Sequence, residues 1–322
     1  MSSPIFLFSL PRSGSTLLQR ILMSHSQIAS VAEPWLMLPF SYASKSQGVL
    51  TEYSHEISRI ALDDFISSLP NQEQDYFDAL GDFVQGLYSK QCQNNELYFL
   101  DKTPRYYLII PEILKTFPDA KFIFLFRNPV HVMGSMIETW GNGSFKKLYS
   151  SEMDLTFGPK ALSQGYQLLG DKALAIQYEQ FVSSPIEELK KICRYLGVDV
   201  EKPMLEAFSS AETKGRMGDS TGKQQYNSVS MAPLEKWKYT FATAFRKKIA
   251  CKYLTGIDDS TLRLQGYEKK DLLNEIRNIK TRRFTFLGDV ADILYSILFR
   301  YSKAHIFLGK KVSSWARKRY LS

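Results

Sequence analysis

The sequence predicts an α/β protein, a three-layer sandwich whose central parallel sheet is flanked by helices, with a helical C-terminal extension. Two observations carry this. Short apolar runs recur at 5–10, 28–31, 97–100, 121–126 and 173–178, and amphipathic stretches fall between them. Runs of that length suit strands buried on both faces, and strand–helix alternation means a parallel sheet covered by helices on each side. The 322 residues are 44% hydrophobic and 13% aromatic, enough to bury a sizeable core.

Each element has its own signal. The run at 5–10 enters the turn Pro11-Arg12-Ser13-Gly14-Ser15-Thr16, and a helix is expected over 16–24. Tyr76, Phe77, Leu80, Phe83, Val84, Leu87 and Tyr88 recur at helical spacing. Pro129, two residues after the run at 121–126, suits a first helical position. Ile186, Leu189, Ile192, Cys193 and Leu196 mark a helix that Gly197 closes. Segments 141–157 and 209–232 are rich in Gly, Ser, Thr and Asn with weak periodicity, so they are expected as long loops covering a ligand.

The net charge is +8, and ten Lys/Arg against two Asp from Lys280 onward account for all of it. A neutral body with a basic tail argues against a nucleic-acid groove. Cys92, Cys193 and Cys251 are far apart and form no CxxC pair, so neither a disulfide framework nor a zinc site is implied and a reducing compartment fits. His25, His55, His131 and His305 share no metal-site spacing. The first apolar run leads into the turn at Pro11, which reads as a strand and not a signal peptide. No uncharged apolar stretch reaches the roughly 18 residues of a membrane span. In residues 281–322, Leu287, Val290, Ala291, Leu294, Ile297 and Leu298 share one helical face, with basic clusters at both ends, Arg317-Lys318-Arg319 among them. Two readings stand: a helix packed on the body with a solvated basic edge, or an amphipathic anchor on an anionic membrane surface, which Asp289 and Asp292 would oppose.

The turn at 11–16 has the features of an anion cradle. Backbone N–H groups of a turn entering a helix converge, and the helix N-terminus adds partial positive charge. Gly14 allows close approach, Ser15 and Thr16 add hydroxyls, and the Arg12 fork matches a tetrahedral anion. A nucleoside-triphosphate loop would read G-x-x-x-x-G-K-[ST]. Here that lysine is missing, and nothing resembles the pairing that holds Mg²⁺ in kinases, so the fold is P-loop-like without that chemistry.

Three other stretches weigh against a chance PRSGST. Arg127 ends the run at 121–126 and Ser135 lies eight residues on, positioned for a second anion. Glu33 follows the run at 28–31, and in a parallel sheet the strand ends gather at the ligand crevice, so a carboxylate there suits a general base. Lys102 follows the run at 97–100, placed to neutralise a leaving oxygen. The plainer alternatives are a Glu33 that pairs with an Arg and a Lys102 that is a solvated helix-start charge.

Together these stretches resemble the sulfotransferases that use 3′-phosphoadenosine-5′-phosphosulfate (PAPS), in their bacterial, carbohydrate and tyrosylprotein branches. Residues 10–18 resemble the 5′-phosphosulfate loop and 127–135 the 3′-phosphate motif. Ala32-Glu33-Pro34 resembles the base-bearing segment. DKTPRYY at 101–107, QYEQF at 177–181, MGDSTGKQQY at 217–226 and LEKWK at 234–238 are also family-like. One departure is Gln180-Phe181, where many members carry Asp-Leu. The match spans about 4–268 in family order, which sets the expected division into a sulfotransferase domain, 1–268, and a basic helical extension, 269–322.

The resemblance implies in-line sulfuryl transfer from PAPS to a hydroxyl without a metal. Glu33 is then the base, Lys102 stabilises the departing oxygen, and Arg12 with the amides of Ser13, Gly14, Ser15 and Thr16 holds the 5′-phosphosulfate. Arg127 and Ser135 hold the 3′-phosphate, and the 217–226 loop closes over the cofactor with Ser220, Thr221, Lys223 and Tyr226. For those four, turn, solvated-lysine and packing roles remain the alternatives. The expected acceptor is a carbohydrate or lipid-linked glycan, with Trp35 and Trp140 lining its cleft and 40–75 and 141–165 building its site. The expected location is the cytoplasm, or the inner face of the membrane if the tail docks there. A small-molecule kinase and a non-catalytic PAPS-binding protein are the competing functions.

Overall fold

The structure, a computed structural model, describes residues 2–211, 214–215, 229–282 and 287–302. Five parallel strands, β1 (Ser3–Ser9), β2 (Ile28–Ser30), β3 (Tyr98–Asp101), β4 (Lys121–Phe126) and β5 (Ala173–Gln177), form one sheet in the order β2-β3-β1-β4-β5. All five apolar runs became strands. β1 lies between β3 and β4, so the chain leaves it to opposite sides and a crevice opens at its C-terminal end.

Pleat alternation divides the side chains into two layers. Phe6 and Phe8 of β1 and Phe122, Phe124 and Phe126 of β4 face one side, where the Phe6 and Phe122 rings stack at 6.1 Å and Phe8 meets Phe124 at 4.9 Å. Ile5, Leu7, Ile123 and Leu125 face the other, against helices Ser15–Leu22 and Pro185–Leu196. Gly197 closes the latter helix in a left-handed conformation, φ 77°.

The expectation of a loop over 141–157 is corrected. A 3₁₀ turn spans Phe145–Ser151 and a short helix spans Glu152–Thr156. Phe145 is fully buried, and the buried Asp154 carboxylate accepts from Tyr107 Oη at 2.7 Å and Arg105 Nη2 at 3.0 Å. These anchors are non-local, so the turn needs no amphipathic period of its own. The helix Lys269–Asn278 buries Leu272 and Ile276 in the Phe6 layer. A last helix, Leu287–Tyr301, lies on the Phe145–Ser151 turn.

Candidate active site

The turn after β1 is closed by the Ser13 N–H donating to the Leu10 carbonyl at 3.3 Å, and Arg12 and Gly14 within it take left-handed conformations, φ 69° and 92°. Glycine is required at 14, because a Cβ there would lie 2.2 Å from Cε2 of Tyr178. The helix Ser15–Leu22 starts at once, so its N-terminal N–H groups open on a cleft of about 810 Å³ at the sheet's C-terminal edge. Arg12, Gly14, Ser15 and Thr16 line that cleft. Ser13 does not: it is buried and its amide is committed to Leu10.

A second turn closes on the first. Asn128 caps the helix Pro129–Gly141 through its side chain, which accepts from Val130 N at 2.9 Å, and Pro129 takes the first turn. This leaves Arg127 at the tip of β4 and Ser135 on the cleft wall. Arg127 donates from Nη1 to the Arg12 carbonyl at 2.8 Å and from Nη2 to the Pro233 carbonyl at 3.2 Å, with its guanidinium 4.3 Å over the Tyr178 ring. Arg12 Nε in turn donates to Ser135 Oγ at 3.3 Å. The two turns therefore form one continuous edge of the cleft. Among the described residues, the buried Nε of Arg127 has no hydrogen-bond partner, and as a donor beside the cleft it suits a phosphate oxygen.

Glu33, just past β2, faces the same cleft. Its Oε1 accepts from Lys102 Nζ at 2.7 Å and its Oε2 from Trp35 Nε1 at 3.2 Å. Lys102 is buried and also donates to Thr16 Oγ1 at 3.4 Å, which links the carboxylate to the first turn. The Glu33 partner is thus a lysine, in place of the arginine weighed from sequence.

Sequence reasoning missed Asp101, the last residue of β3. Tyr88 Oη, Tyr106 Oη and Thr103 Oγ1 all donate to its buried carboxylate, at 2.6, 2.9 and 3.1 Å. Thr103 Oγ1 accepts from Trp35 N, and Tyr106 Oη accepts from Met37 N. Asp101 therefore ties the segment after Glu33 to β3, although Trp35 itself holds a left-handed φ of 55°. Burial pushes the Asp101 carboxyl up to about 6, against the hydrogen bonds that favour its ionised form. Its signals were a charged residue closing an apolar run and its place at the head of the DKTPRYY stretch.

Tyr178 and His131 were also missed as wall residues. The His131 ring stacks on Trp237 at 4.6 Å, and its Nδ1 lies 3.3 Å from Glu179 Oε1. Burial holds its pKa below the usual value. Glu179 accepts from Asn128 N at 3.0 Å and Tyr267 Oη at 2.7 Å, so the 177–181 stretch braces the second turn. Trp35 and Trp140 line the cleft; of 40–75 and 141–165, Asn142 alone does. Ser220, Thr221, Lys223 and Tyr226 lie outside the described residues. Among the described residues no three His, Cys, Asp or Glu side chains converge as metal ligands would.

The sequence model of the sulfotransferase family matches residues 4–202. The nodulation protein NoeE of Sinorhizobium fredii is 28% identical over 218 residues, which are 60% of this chain and 50% of that protein, so the chain spans about half of that relative's length. A sulfotransferase domain from the curacin biosynthetic pathway superposes with a TM-score of 0.50 at 22% identity, over 78% of this chain and 97% of that one. The sulfotransferase domain of the Synechococcus PCC 7002 olefin synthase gives 0.50 at 23%, over 74% and 88%. At such identities the superpositions speak for the fold, which agrees with the P-loop-like sandwich. The family match, covering more than half of the chain and both cleft turns, decides the rest: this chain belongs to the sulfotransferase family.

Proposed function

We propose that the protein transfers a sulfuryl group from PAPS to a hydroxyl of a carbohydrate or lipid-linked glycan, with Glu33 as general base. The observation that carries this reading is the junction of the two turns, Arg127 on the Arg12 carbonyl and Arg12 on Ser135. One donor molecule with anions at two positions fits an edge built that way. When bound, PAPS supplies an activated sulfuryl group on a phosphate leaving group.

This chain's residues divide the work. Arg12, the Gly14 cradle, Ser15 and Thr16 hold the 5′ end, with the helix N-terminus favouring negative charge. Ser13 shapes the turn. Arg127 and Ser135 hold the 3′-phosphate. Lys102, held between Thr16 Oγ1 and Glu33 Oε1, would neutralise charge on the leaving oxygen once PAPS is bound. Glu33 takes the acceptor proton once its pairing with Lys102 loosens. Trp35 and Trp140 offer aromatic faces to a sugar ring. Ser220, Thr221, Lys223 and Tyr226 complete the cofactor side by sequence resemblance. The reaction is placed in the cytoplasm, where Cys92, Cys193 and Cys251 stay thiols.

The test has two arms. Calorimetry with 3′,5′-diphosphoadenosine and with AMP should show the former tighter by about a hundredfold, the worth of one lost charge-assisted pairing. Incubation with sulfur-labelled PAPS and cell-envelope glycans should then give a labelled product. Equal affinity for the two nucleotides, or phosphate transfer from ATP in place of sulfuryl transfer, would overturn the reading.

A further inference from the structure

The helix Leu287–Tyr301 lies on the body by a mixed side, in which Ile293 packs on the core and Phe299 lies 4.9 Å from the Tyr149 ring among several polar anchors. Asp289 is buried and takes a two-pronged contact from Arg246, Nη2 to Oδ1 at 2.7 Å and Nε to Oδ2 at 2.9 Å. Ser144 Oγ donates to Asp292, Tyr149 N donates to Ser296 Oγ at 2.9 Å, and Arg300 pairs with Glu152. The opposite side is apolar and bare. Leu287, Leu294, Leu298 and Tyr301 are 71%, 55%, 69% and 75% exposed, and Ala291 completes the stripe. An ordinary surface helix turns its apolar stripe toward the core. This one leaves a second apolar stripe outside, and both acids that would repel an anionic surface lie on the packed side and are partnered.

The sequence on either side of that helix is rich in one sign of charge. Lys280, Arg282 and Arg283 precede the helix. Beyond Asp292 no acid occurs to the end of the chain, whereas Lys303, Lys310, Lys311, Arg317, Lys318 and Arg319 follow. Lys146 and Lys147 are exposed on the supporting turn, Lys146 over the Tyr295 ring at 4.6 Å. Among the described residues no helix is long and apolar enough to cross a membrane. An in-plane helix needs no such length.

We propose that the Leu287–Leu294–Leu298–Tyr301 face docks on an anionic bilayer surface. The leucines enter the headgroup–acyl boundary and the flanking lysines and arginines meet the lipid phosphates. This is independent of the donor and acceptor assigned above.

The experiment is co-sedimentation of the full chain with phosphatidylcholine vesicles, with and without one third phosphatidylglycerol, at low and high salt. Binding is expected to the anionic vesicles and to fall steeply in high salt. Leu294→Gln/Leu298→Gln should weaken it by at least about tenfold. Arg317→Gln/Lys318→Gln/Arg319→Gln should weaken it on the order of a hundredfold, at about fivefold per charge. Calorimetry with 3′,5′-diphosphoadenosine should be the same for all three proteins, which checks the fold and keeps this outcome separate from that of the proposed function. No binding by the parent chain, or full binding by the leucine variant, overturns the proposal. So does a dimer seen by light scattering that the leucine variant dissociates, since the face would then meet a second copy.

Discussion

Arg127 Nη1 donates to the carbonyl oxygen of Arg12 across 2.8 Å, so a side chain at the end of β4 fixes the backbone of the turn after β1. The contact couples the two proposed anion sites. Arg127→Ala should therefore weaken binding of 3′,5′-diphosphoadenosine by roughly a hundredfold and of AMP less, the difference reporting the 3′ site. Ser135→Ala, which removes one hydroxyl, should cost about five- to tenfold. Calorimetry on both nucleotides checks the pair.

Glu33→Gln keeps an acceptor oxygen for Lys102 but cannot take a proton. Turnover should drop by about 10²–10⁴-fold, while the affinity for 3′,5′-diphosphoadenosine stays within about twofold. Single-turnover assays with labelled PAPS separate these, and a Glu33→Gln variant running at parent speed would remove Glu33 as the base.

Gly14→Ala puts a methyl on the Tyr178 ring and forces a left-handed alanine. The expected cost is about 2 kcal/mol, seen as a fall of roughly 5 °C in Tm, with weaker nucleotide binding. Adding Tyr178→Ala removes the clash but empties a buried ring site beneath Arg127, so the double variant should melt below Gly14→Ala itself.

Asp101 makes a pH prediction. Its carboxyl titrates near 6 in the fold, above its ordinary 3.8, so the folded state binds the proton more tightly than the unfolded one. Its contribution to stability is full below about pH 4 and is lost as pH rises to about 6, by on the order of 3 kcal/mol. Asp101→Asn should flatten that dependence in urea melts taken across this range. The same change removes an acceptor from Thr103 or the tyrosines and so loosens the Trp35–Met37 segment. Turnover should then fall more than nucleotide affinity.

The strands were legible because each apolar run is local and has the length of its strand. The two cleft turns were legible because their residue types sit next to one another in the chain. Asp101 was not, since its partners Tyr88, Tyr106 and Thr103 belong to separate elements and its role exists only once they meet. Tyr178 escaped for the same reason: its ring matters through Gly14 and Arg127, distant in sequence. The helix Leu287–Tyr301 shows a further limit. Periodicity tells which residues share a face, and here that face turned outward because Arg246, Ser144 and Tyr149 supplied better partners for the other side.

The cleft takes Arg12 from the first strand end and Trp237 from a helix far downstream, with the His131 ring stacked on that tryptophan. A ribosome-bound chain that has exposed only β1 through β4 carries both arginines but lacks the Tyr178 ring beneath Arg127 and the Trp237 wall. The cleft is thus completed only late in synthesis, and on the proposed function ligand affinity would mark complete emergence of the domain.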